Sequence, residues 1–291
     1  MKILKFGGGV LKDDFSIKMI PDILSNYDGQ KIVIVVSSFG KTTNLLENFL
    51  ESNYQNKEYR TKYSIFSSLA FRELMFIAWR LNLINDKDGS FFYSIKELIN
   101  NTTPLFKDFN FDYDQIVSLG ELISSKIVSS FLLKKGIDNH WVDIRKYLIT
   151  DSNFRDANIN WSLTRQKFNK KFPKKNIIIT QGFIGSNKHV TTTLGREGSD
   201  YSASIIGNLL DASEVVLFKD VEGVYEKDPK THKGGIIYPI PRLSYDDIQK
   251  YSNPKRPLVH EKTIRPLKEK SIILKIKKFS NTDDTLGTII S

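Results

Sequence analysis

Apolar residues along the chain follow two rhythms. Ile3-Leu4-Lys5-Phe6, Ile32 to Val36, Ile177 to Thr180 and Val215 to Lys219 are short, nearly continuous, β-branched-rich runs, as in strands buried on both faces. Trp141 and Val142 predict a further short strand, and Ile272 to Lys277 and Gly287 to Ile290 two more near the end. Between these runs the period is helical. Ser16 to Tyr27 predicts a helix that Pro21 starts or kinks. Leu45 to Leu50 and Tyr63 to Leu83 predict a helical pair. Asp112 to Lys135 predicts one helix with a core stripe of Ile116, Leu119, Ile123, Ile127 and Phe131, ended by Gly136. Trp161 to Phe172, Ser202 to Leu210, Ser244 to Tyr251 and His260 to Lys268 predict four more, and the weakly patterned Asn85 to Asn110 another. Strands alternating with helices predict an α/β fold, a three-layer αβα sandwich around a mostly parallel sheet. In such sheets ligands bind outside the carboxyl ends of the strands. The candidate turns are therefore Gly7 to Gly9, Ser37 to Asn44, Gln181 to Asp200 and Asp220 to Asp228.

Composition narrows the classes. Hydrophobic residues form 40% of the 291, enough for a sizeable core. No run of 18 or more apolar residues suggests a membrane span. Met1 passes straight into a strand-like run with no signal-peptide apolar region, so a cytoplasmic protein is expected. The absence of cysteine excludes disulfides and thiolate metal sites. A net charge of +10 admits an anionic partner, but the basic residues are spread along the whole length. With no aromatic RNA-binding motif and no zinc-finger spacing, nucleic acid is not expected. The four histidines, His140, His189, His232 and His260, show no metal-ligand spacing.

Local motifs each leave two readings open. In Thr191 to Ala203, Gly195 and Gly198 allow positive φ and outward N–H groups, Ser199 or Asp200 can cap the helix, and Arg196 offers a fork for an anion. The same letters also describe an ordinary glycine turn before a capped helix. Lys5, just before Gly7-Gly8, is either an ammonium at the ligand edge of the sheet or a solvated edge lysine. Glu121 sits among Val117, Ser124 and Ser125; if recessed it needs a cationic partner, which a ligand ammonium would supply. Asp220 to Pro229 could hold a base or ribose, or be a plain Asp-Pro loop. Gly40-Lys41-Thr42 fails as a Walker A motif, because Val35 stands where its first glycine belongs.

Taken in order, Lys5-Phe6-Gly7-Gly8, Val36 to Asn44, Ser118 to Leu122, Thr180 to Gly185, Thr191 to Ala203, Asp220 to Pro229, His260 to Ile264 and Leu286-Gly287-Thr288 resemble the catalytic domain of aspartate kinases, in the amino-acid kinase superfamily. The resemblance spans nearly the whole chain. It implies one domain over 1–291, with an N-terminal amino-acid-binding lobe and a C-terminal nucleotide-binding lobe. It also implies phosphoryl transfer from ATP to the side-chain carboxylate of L-aspartate, the first step toward lysine, threonine and methionine. The expected partners are L-aspartate and ATP, with Mg2+ carried by the nucleotide rather than by a protein metal site, no membrane, and a homodimer as a candidate assembly. By correspondence, Lys5 and Asp200 are catalytic. Thr43, Glu121, Phe183, Arg196 and Ser199 bind the amino acid; Lys5, Gly7, Gly8, Ser37, Lys219, Asp220, Tyr225 and Lys230 face the nucleotide.

The chain departs from the family pattern in several places. Gly9-Val10 replaces Thr-Ser, Glu197 a frequent glycine, Lys219 a common threonine, Pro257 a lysine with Lys255 and Arg256 close by, and Glu261 a proline. No regulatory ACT domain is recognisable, so no feedback inhibition by lysine or threonine is expected. Two alternatives stand beside this reading: a superfamily member acting on a different carboxylate or carbamate, and a non-catalytic ligand-binding paralogue.

Overall fold

The continuous apolar runs lie side by side, because only a parallel sheet covered on both faces can bury them. The computed structural model describes residues 1–55, 62–84, 89–102, 104–227, 237–251, 258–280 and 287–291. Its strands are β1 (Lys2–Phe6), β2 (Ile32–Val36), β3 (His140–Trp141), β4 (Ile177–Gln181), β5 (Ile184–Asn187), β6 (Val190–Thr193), β7 (Glu214–Lys219), β8 (Arg242–Leu243), β9 (Ile273–Lys278) and β10 (Thr288–Ile290). Its helices are α1 (Asp14–Lys18), α2 (Ile20–Ser25), α3 (Thr42–Gln55), α4 (Leu69–Arg80), α5 (Ser90–Asn100), α6 (Phe109–Val117), α7 (Leu119–Lys134), α8 (Trp161–Lys171), α9 (Gly198–Leu209) and α10 (Glu261–Lys268). The main sheet runs β3-β4-β2-β1-β7-β9-β10-β8. β3, β4, β2, β1, β7 and β9 are mutually parallel; β10 runs antiparallel to β9 and pairs β8 in parallel.

Register assigns the layers. Lys5 aligns with Val35 and Leu217, and Val35 with Thr180, so Gln181 points to the opposite face. The Gln181 amide donates to Ser125 on α7 at 2.8 Å, whereas Lys5 reaches Asp200 on α9. α7 and α9 therefore cover opposite faces, the three layers the sequence predicts. Phe109–Lys134 is apolar and long enough to cross a membrane, but 83% of its most apolar window is buried within the protein.

Several boundaries differ from expectation. The predicted helix over 112–135 divides at Ser118 into α6 and α7. Gly136 ends it as predicted, with φ of 77° and the Ile137 N–H donating to the Leu132 carbonyl. The helix predicted at Ser16 starts earlier, where Asp13 caps α1, and breaks at Met19 with Pro21 opening α2. The predicted 244–251 helix shrinks to a 3-10 turn at Ile248–Tyr251. The β5–β6 hairpin was not predicted. Its turn residues Lys188 and His189 both take positive φ, 46° and 75°, without the Asn-Gly pair that announces such turns.

Candidate active site

β1 has β2 on one side and β7 on the other, so the chain order reverses there, where open α/β sheets bind ligands. The turns after β1, β2, β4 and β7, with the amino end of α9, enclose a cavity of about 340 Å³. Lys5, Gly7, Gly8, Ser37, Thr43, Glu121, Phe183, Ser199, Lys219 and Asp220 all line it, joined by Ser38 and Glu197. Most of the residues assigned from sequence are thus brought to one place. Three are not. Arg196 is exposed and is not among the lining residues. Tyr225 is half-buried, its hydroxyl donates to Glu222 at 3.2 Å, and it is not among the lining residues. Lys230 lies outside the described residues, as do Lys255, Arg256 and Pro257.

The loop entering α9 corrects two expectations. Neither Ser199 nor Asp200 caps the helix; both lie within it, and Glu197 holds the N-cap position in the left-handed region with φ of 55°. Gly195 has the predicted positive φ, 72°, but Gly198 does not. Gly198 is required for contact instead, since a Cβ there would lie 2.7 Å from Phe183 Cδ2. Gly182 answers it from the other side, where a Cβ would lie 2.8 Å from the Ser199 backbone. This mutual approach presses the turn after β4 against the amino end of α9. Gly182→Ala is expected to cost about 1–3 kcal/mol by overpacking, because the opposing atoms include backbone. Thermal unfolding of the purified variant measures it, and an unchanged Tm would refute the contact.

At the cavity floor Asp200 is fully buried between two ammoniums. Lys5 Nζ lies 2.5 Å from Oδ1, and Lys219 binds Oδ2. Burial alone would raise the Asp200 carboxyl, but Lys219 and Lys5 together hold it down at about 2. Burial lowers the Lys5 pKa, against the attraction of Asp200. Lys219 is raised, because Asp200 and Glu197 outweigh its burial. Glu197 approaches Lys219 to 3.9 Å from the solvent side.

On the opposite wall Glu121 is buried, at 3% exposure. Its Oε1 accepts the Ser38 N–H at 3.2 Å; its Oε2 is buried with no hydrogen-bond partner. Burial pushes this carboxyl up to about 8, with the backbone N–H groups of Ser38 and of Glu121 itself pulling the other way. An unsatisfied buried carboxylate oxygen facing a cavity is a site for a cation.

Asp114 was not singled out from sequence. It is buried and accepts the Thr193 N–H at 2.9 Å, the Thr193 hydroxyl at 2.6 Å and the Arg155 N–H at 3.1 Å. It thereby pins the end of β6, from which the loop to α9 departs. No local signal marked it, since α6 also carries Asn110, Asp112 and Gln115.

The sequence profile of the amino acid kinase family matches residues 1–278. The chain is 29% identical over 278 residues to bifunctional aspartokinase/homoserine dehydrogenase 2 of Escherichia coli (strain K12), covering 94% of this chain and 34% of that protein. It is 29% identical over 251 residues to aspartokinase of Chlamydia pneumoniae, covering 85% of this chain and 53% of that one. Among solved structures, E. coli aspartokinase III in complex with aspartate and ADP matches with a TM-score of 0.82 at 25% identity, covering 100% of this chain and 64% of that one. The chain spans less than two thirds of the length of each.

Proposed function

The chain belongs to the amino acid kinase family, and from that premise we propose that it transfers the γ-phosphate of ATP to the β-carboxylate of L-aspartate, giving 4-phospho-L-aspartate. The observation that carries the choice of acceptor is the partnerless buried Oε2 of Glu121, in the same cavity as Lys5 and Lys219. Glu121 meets the amino acid's ammonium; the two lysines meet the phosphates. The aspartokinase relatives, and the aspartate and ADP held by the E. coli aspartokinase III structure, support the same assignment.

The acceptor is already an ionised carboxylate, so the site needs no general base. The task is to bring anions together and stabilise the charge on the transferring phosphoryl group. Lys5 supplies a desolvated ammonium, and Asp200 fixes its position. The Gly7–Gly8 turn and the amino end of α9 add N–H groups, as helix termini do for phosphate. Ser37 lies beside the phosphates, while Thr43, Phe183 and Ser199 shape the amino-acid pocket. Arg196, exposed on the turn beside the cavity, is assigned a substrate carboxylate. Tyr225 and Lys230 are assigned to the nucleotide, in a carboxyl-terminal nucleotide lobe facing an amino-terminal amino-acid lobe.

Among the described residues no group of three or more His, Asp or Glu is placed to hold a metal ion. Asp220 is an exposed acid lining the cavity, and one or two carboxylates are what Mg2+ takes beside phosphate oxygens and water. Such an ion, arriving with the nucleotide, neutralises charge on the phosphate oxygens.

The test is ADP release in the presence of L-aspartate, L-glutamate, N-acetylglutamate or carbamate. Aspartate is expected to be turned over best. Preference for N-acetylglutamate or carbamate would sink the reading, because neither brings the ammonium that Glu121 requires.

A further inference from the structure

The charged groups of the cavity form a chain of alternating sign: Lys5, Asp200, Lys219, Glu197. Its last link differs from the others. The side chains of Lys5, Asp200 and Lys219 are 6%, 0% and 15% exposed, whereas that of Glu197 is 39% exposed. The inner contacts are tight, but Glu197 Oε2 stands 3.9 Å from Lys219 Nζ. Glu197 also occupies the N-cap of α9 in the left-handed region, where a non-glycine residue is uncommon, and its side chain makes no capping hydrogen bond. Its ion-pair partner is Lys219. Among the described residues the lysines lining the cavity are Lys5 and Lys219, so an anion entering from solvent meets Lys219 on the side where Glu197 stands.

We propose that Glu197 is a built-in stand-in for ligand phosphate: it holds the Lys219 ammonium in the empty cavity and is displaced when the nucleotide's polyphosphate takes that ammonium. The inference rests on reading the cavity as a phosphoryl-transfer site. Glu197 is then a positioning residue acting through Lys219, and it sets nucleotide affinity. A half-exposed pair of single charges is weak. A polyphosphate brings several charges and more acceptor oxygens to the same ammonium, so it wins the exchange. Each binding event nevertheless includes the loss of the resident pair. Asp200, held by Lys5 as well, stays in place throughout.

The test is calorimetric binding of MgADP, which needs no turnover. Glu197→Gln keeps the size and backbone of the residue and removes its charge. It is expected to tighten MgADP binding by about two- to fivefold, the range a weak, partly exposed pair allows. In a Lys219→Met background the same substitution is expected to lose most of that effect. Tightening of equal size in both backgrounds would show plain repulsion and overturn the proposal; so would unchanged or weaker binding in Glu197→Gln. Tripolyphosphate is expected to show the same gain as MgADP. A gain confined to L-aspartate would assign Lys219 to the acceptor and overturn the nucleotide assignment. The coupled gain without aspartate turnover would sink the proposed activity and leave this inference standing; turnover without coupling would do the reverse.

Discussion

Lys5→Ala is expected to lower kcat for aspartate-dependent ADP release by about 10²- to 10³-fold, the loss typical of removing one preorganised group aimed at developing charge. The ammonium lies at the carboxyl end of β1, at 5% exposure, and lines the cavity. Burial strips it of water, so its charge acts on a transferring phosphoryl group at low effective dielectric. The effect should fall on kcat more than on folding. An Asp200 left with no counter-ion would cost about 3–5 kcal/mol, but Lys219 still binds its other oxygen. Steady-state kinetics beside a thermal melt separates the two contributions. A fully active Lys5→Ala, or one that fails only because it unfolds, would refute the role given to this lysine.

What the sequence revealed depended on whether the signal was local. β1, β2, β4 and β7 were legible because a strand buried on both faces must be continuously apolar, and their carboxyl ends then located the site. The β5–β6 hairpin was not, because Thr191, Thr192 and Thr193 are polar yet buried, tied down by partners such as Asp114 and Thr150. The break at Ser118 was invisible because Ile116, Leu119 and Ile123 continue the apolar stripe across it and Ser118 itself keeps a right-handed helical φ and ψ. In the site, Lys5 and Glu121 could be named from their immediate surroundings. The encounter of Lys219 with Asp200 and Glu197 could not, since it depends on packing α9 against β1 and β7. Arg196 illustrates the converse: its residue type suited an anion, but side-chain direction is set by the turn, and the turn leaves it exposed.

Glu121→Gln is expected to raise the KM for aspartate by about 10- to 100-fold, the worth of a hydrogen bond to a charged partner. A glutamine keeps the shape and the Ser38 contact but cannot neutralise an ammonium. The wild-type residue also makes a pH prediction whose sign is fixed. Its carboxyl is pushed up from 4.5 to about 8 in the empty cavity, so near neutrality it is mostly protonated there. The substrate ammonium needs the ionised form. Aspartate binding at pH 7 should therefore release close to one proton, and affinity should improve by about tenfold per pH unit below 8 and level off above it. For the empty fold the sign is opposite to that of a salt-bridged carboxylate. The raised pKa means stability is greatest below about 4.5 with respect to this group, and is lost as pH rises toward 8, where a charge must be buried without a counter-ion. Glu121→Gln should abolish both the proton release and that loss. Calorimetry of aspartate binding in buffers of different ionisation enthalpy reads the first, and melts between pH 5 and 8 read the second. A binding enthalpy independent of buffer at pH 7 would mean that Glu121 is already ionised, and that something other than the substrate answers its buried oxygen.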